Sequence, residues 1–106
     1  MIKAVELIRA LKKAGLITKG EVTRGVRYAE GVTYTRVMGR GMVDLDEETF
    51  GDRSIVFCRC RGAEAASRAV QVIKSLGGKP DFKWCSDQPH YFSLDISPIK
   101  GYHNWE

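Results

Sequence analysis

No run of apolar residues in this chain approaches the roughly 18 that a bilayer-spanning helix needs. The opening Met1-Ile2-Lys3 shows no secretory pattern, passing straight into a segment broken by Glu6, Arg9, Lys12 and Lys13. Cysteine is scarce and odd in number, at three, which argues against the paired framework of small secreted domains. These absences predict a cytoplasmic protein with no membrane partner. There are two histidines and no C-x₂-C pair, so the usual zinc-ligand spacings are missing. No glycine-rich segment opens a helix after a strand in the phosphate-cradling pattern. No cofactor and no metal are expected, and no catalytic motif stands out.

What is present is a chain of 106 residues, 43% apolar and 28% charged. That is ordinary for one soluble domain with its own core. The formal net charge of +4 is unevenly spread. Residues 1–40 hold nine basic and three acidic side chains, residues 41–52 hold five acids and no base, and residues 53–106 hold eight bases and five acids. The chain reads as a basic body carrying one acidic segment.

Periodicity predicts two helices. Met1, Ala4, Leu7, Ile8, Leu11 and Ala14 form one stripe at the helical period over residues 2–14, with Gly15 at the left-handed cap position and Leu16 as its hydrophobic contact. Ala63, Ala66, Ala69, Val70, Ile73 and Leu76 form a second stripe over residues 63–76, ended by Gly77, Gly78 and Pro80. Alternation predicts strands within residues 20–38, as a hairpin around Ala29-Glu30-Gly31, and at 54–61, 82–84 and 91–96. The acidic stretch from Met42 to Arg53 reads as a loop. The expected fold is one α+β domain spanning residues 1–106. Its mostly antiparallel five-stranded sheet would carry two helices on one face, with a ferredoxin-like crossover as one option for strand order.

The hairpin is the main candidate contact surface. A loop at residues 29–31 would set Arg24 against Arg36 across the ladder, a like-charge pair that destabilises unless an anion or carboxylate bridges it. Arg27, Arg40 and Lys19 extend the patch, and Tyr28 and Tyr34 offer stacking surfaces. The alternative is a solvated hairpin in another register. Asp44, Asp46, Glu47 and Glu48 lack the ligand alternation of a calcium loop and read as a solvated acidic loop or a dock for a basic partner. Tyr102 and Trp105 near the carboxyl end either fold back on the core or contact a partner, a second copy included.

Cys58 and Cys60 would lie about 6.5–7 Å apart on one strand face, a poor metal clamp, and read as small buried hydrophobes. Cys85 and His90 flank a predicted turn. A thiol beside an imidazole is the one catalytic arrangement the sequence allows, with a half-exposed cysteine and a surface histidine as the plain alternative. The leading expectation is a non-catalytic protein that occupies a surface of a macromolecular partner. An inhibitor or accessory factor of phage type, acting on a nucleic-acid-handling protein complex, fits that description. The alternatives are an RNA- or DNA-binding domain using the hairpin, and a small enzyme or ligand-binding domain around Cys85 and His90.

Overall fold

A computed structural model describes residues 2–22, 26–29, 33–50, 53–82, 90–97 and 103–104. Ten elements follow in chain order: β1 (Ile2–Lys3), α1 (Ala4–Lys13), β2 (Ile17–Val22), β3 (Val26–Ala29), β4 (Thr33–Gly41), β5 (Val43–Phe50), β6 (Arg53–Cys60), α2 (Ala63–Ser75), β7 (Tyr91–Ser97) and β8 (His103–Asn104). The α+β class is as expected. No helix among the described residues is long and apolar enough to cross a membrane.

The helices end as their glycines predict. Leu16 N–H donates to the Leu11 carbonyl at 2.9 Å and Gly15 N–H to Lys12 at 3.0 Å, while Gly15 adopts φ +74°. This is a Schellman cap, and it turns Leu16 into the core, where it is fully buried. The same motif closes α2, with Gly78 N–H on the Ile73 carbonyl and Gly77 N–H on Lys74. A Cβ at Gly78 would come within 2.4 Å of the Ile2 Cδ1 and 2.6 Å of the Ile73 Cγ2, so only hydrogen fits there without repacking.

The sheet departs from the expected five antiparallel strands. Among the described residues it has eight, in the order β1-β7-β6-β5-β4-β2-β8, with β3 also on β4. It is mixed, because β1 runs parallel to β7. The ferredoxin-like option fails on connectivity. The crossover through α2 leaves Asp81 bridged to Ser93 on β7, and β7 itself pairs antiparallel with β6.

The largest correction concerns the acidic stretch. Residues 43–50 are a central strand, paired along their whole length with β6 and over most of it with β4. Val43, Leu45 and Glu47 are buried while Asp44, Asp46 and Glu48 are partly exposed, a two-residue alternation of a strand with one face inward. The acids hid that alternation because they take three successive positions of one face, Asp44, Asp46 and Glu48, and, at Glu47, one position of the other.

Both helices cover the same side. Leu7, Ile8 and Leu11 of α1 and Ala65, Ala66, Ala69 and Ile73 of α2 join Val43, Leu45, Val56, Cys58, Phe92, Leu94 and Ile96 in one core. At about 25 cal/mol per Å² of apolar surface, each fully buried Leu, Ile or Phe contributes roughly 1.5–3 kcal/mol.

Candidate interaction face on the open side of the sheet

Strand alternation leaves the opposite face of the sheet to the other half of the side chains. The registers align them in rows across β5, β6 and β7. Asp44, Arg59 and Tyr91 form the first row. Asp46, Phe57 and Ser93 form the second, with Val37 of β4 beyond Asp46. Glu48, Ile55 and Asp95 form the third. Residues directly opposite on neighbouring strands share a face and touch. The result is an apolar strip of Ile55, Phe57 and Tyr91, each partly exposed, with Asp46 and Glu48 along one side and Asp95 at the other.

Contacts within the strip fix its aromatic members. The Phe57 and Tyr91 rings stack with centroids 6.1 Å apart and planes 15° apart. The Arg59 guanidinium lies 5.8 Å from the Tyr91 centroid, within cation–π range. The acids are held at the β4–β5 turn. Arg40 Nη2 meets Asp46 Oδ1 at 3.0 Å, both side chains well exposed. Asp44 Oδ1 accepts from Gly41 N–H at 3.2 Å, and its other oxygen lies 3.7 Å from Arg61.

The residues singled out from sequence are dispersed rather than gathered. Asp44, Asp46 and Glu48 lie on the open face, and Arg40 of β4 reaches Asp46. Glu47 points the other way and is fully buried, so the solvated acidic loop is corrected at each of the four acids. The expected hairpin register is corrected as well. Val26 pairs with Thr35 and Arg27 with Tyr34, with an irregularity before Ala29 paired with Thr33. Arg36 stands opposite Glu47 on β5. A loop at residues 29–31 would have set Val26 against Tyr34, and the observed ladder is one residue out of that register. Tyr28 lies within β3. Arg24, Cys85, Tyr102 and Trp105 lie outside the described residues.

Cys58 and Cys60 are reduced and buried under the helices, as small hydrophobes. Burial raises the Cys58 thiol pKa well above its usual value, with smaller contributions from Cys60 and Asp46. Burial alone raises Cys60 to about 11. Neither is a ready nucleophile or ligand. Among the described residues no three histidine, cysteine or acidic side chains converge on a metal position. His90 lies in a groove of about 490 Å³ between α2 and Phe82, beside Ser67, Val70, Gln71 and Lys74.

Sequence reasoning missed Ile55, Phe57 and Tyr91 as surface candidates. The signal for Ile55 and Phe57 was present in the alternation of residues 54–61, where Val56, Cys58 and Cys60 turn inward, and that for Tyr91 in residues 91–96, where Phe92, Leu94 and Ile96 do. No family model matches the chain, and neither a curated protein nor a solved structure matches it.

Proposed function

We propose that this chain is a non-catalytic binding protein that docks the open sheet face onto a partner protein. The observation that carries the reading is the Ile55–Phe57–Tyr91 strip bracketed by Asp46, Glu48 and Asp95. Aromatic anchors with a polar rim are the usual anatomy of a protein interface. The rim is acidic, so the complementary partner presents an apolar patch ringed by lysine and arginine. An accessory factor or inhibitor seated on a nucleic-acid-handling complex has that character, since such complexes carry basic surfaces.

A photo-crosslinking residue placed at Phe57, and separately at Gln71 on the helical side, tests this in nuclease-treated lysate of the native cell. The expected result is one protein captured from position 57 and not from 71. That protein, once purified, then binds the chain at least about tenfold more weakly when Ile55 is replaced by Ser. Capture only from position 71, capture only of a second copy of the chain, or binding indifferent to Ile55→Ser would overturn the reading.

A further inference from the structure

On the helical side of the sheet, the groove of about 490 Å³ runs along α2. Its size is that of a small-molecule site. One wall is a single stripe of the helix. Ala63, Ala66, Ser67, Val70, Gln71 and Lys74 line it, a spacing that keeps all six on one face. Phe82 and His90 form the opposite wall.

Both walls are held from behind. Ala65, Ala69 and Ile73 anchor α2 in the core. Asp81 and Ser93 exchange two backbone hydrogen bonds of 2.8 Å, and the Phe82 ring packs on the buried Phe92 with centroids 5.2 Å apart. The His90 carbonyl accepts from Cys60 N–H at 2.8 Å. The groove is therefore shaped in advance of any ligand, which lowers the cost of binding one.

Two features of the lining point to the occupant. Phe82 stays 46% exposed, one of two large apolar side chains to do so among the described residues. The polar lining is also one-sided. Lys74 is exposed and enters no ion pair among the described residues. Ser67 and Gln71 bring neutral donors, and no described acid lines the groove. Glu64 and Asp81, next in sequence to Ala63 and Phe82, are not part of the lining.

We propose that this groove binds a small aromatic carboxylate. The ligand's ring lies between Phe82 and Val70. Its carboxylate reaches Lys74, one turn beyond Val70 on the same stripe, with the Gln71 amide as a second donor. The groove shares no residue with the open sheet face, so the inference does not rest on the protein-docking reading.

Amide NMR of the isotope-labelled chain, titrated with naphthoate and separately with the uncharged naphthylmethanol, tests the inference. The expected result is a saturable shift of the Ser67, Gln71, Lys74 and Phe82 signals by naphthoate, with Kd below about 1 mM. Naphthylmethanol is expected to bind at least about threefold more weakly. Lys74→Gln should weaken naphthoate binding at least about threefold and leave naphthylmethanol unchanged. Phe82→Ala should weaken both by about fivefold. Lys74→Gln alters only an exposed side chain, so that arm stands even where Phe82→Ala fails to fold. No saturable shift up to about 5 mM naphthoate overturns the proposal. So do shifts centred on Ile55, Phe57 and Tyr91, equal binding of the charged and uncharged compounds, or indifference to Lys74→Gln. None of these outcomes bears on protein capture from position 57, so the two readings stand or fall separately.

Discussion

Arg36 stands directly opposite Glu47 in the β4–β5 ladder, and Glu47 is fully buried. The ladder thus places an acid opposite Arg36 on its β5 side. It also divides the acids of β5 into two kinds, one in the core and three at the surface.

That division has a measurable consequence. Glu47→Ala removes a fully buried side chain from a packed interior, and its loss is expected to lower stability by about 2–4 kcal/mol. Asp46→Ala removes an exposed partner of Arg40 and is expected to change stability by less than about 1 kcal/mol. Urea unfolding of the two variants checks the contrast. Equal effects would mean that Glu47 is not built into the core.

Gly41 makes a sharper demand. A Cβ there would lie 2.7 Å from the Leu16 carbonyl oxygen, 2.8 Å from the Ile17 Cα and 2.9 Å from the Thr18 nitrogen. All three are backbone atoms, so no side-chain rotation relieves the clash, and β2 itself must move. Gly41→Ala is expected to cost about 3 kcal/mol. Gly78→Ala, whose two nearest contacts are side-chain atoms of Ile2 and Ile73, is expected to cost less. Thermal unfolding of both should rank them in that order.

The two buried thiols predict an alkaline limb in stability. Burial raises Cys58 well above 9.0 and Cys60 from 9.0 to about 11. An unfolded thiol ionises at its ordinary pKa while the folded one stays protonated. The unfolded state therefore binds fewer protons across that window, and stability falls as pH rises. The contribution is complete below pH 9 and is lost between pH 9 and about 11. The difference between the parent and Cys60→Ala, followed by denaturant midpoints from pH 8 upward, isolates this from lysine and tyrosine titration. A constant difference across the window refutes it. Native-state alkylation at neutral pH should also leave both cysteines unmodified.

The elements that repeat regularly were legible from residues alone. α1 and α2 announced themselves by apolar stripes and by glycines at 15, 77 and 78, and β6 and β7 by alternation that put Cys58, Cys60, Phe92, Leu94 and Ile96 inward. β5 was not, because a strand whose outer positions are Asp44, Asp46 and Glu48 has the composition of a loop. Val43 and Leu45, two residues apart, were the remaining trace of its period. Register was not legible either. The irregularities between Arg27 and Ala29 and between Val37 and Gly39 are set by pairing with distant strands, not by local preference. Of the candidate site, the acids were found and misplaced. The aromatic strip between them emerges only once β5, β6 and β7 are aligned.

β1 is two residues long, yet it closes the sheet: Ile2 pairs with Ile96 and Lys3 with Ser97. Nearly the whole described chain separates these partners. During synthesis Ile2 leaves the ribosome long before its counterpart exists, and its burial beside Gly78 must wait for β7. Closure of this edge is a late, topologically distant event, so the nascent chain carries Ile2 unshielded until β7 has been made.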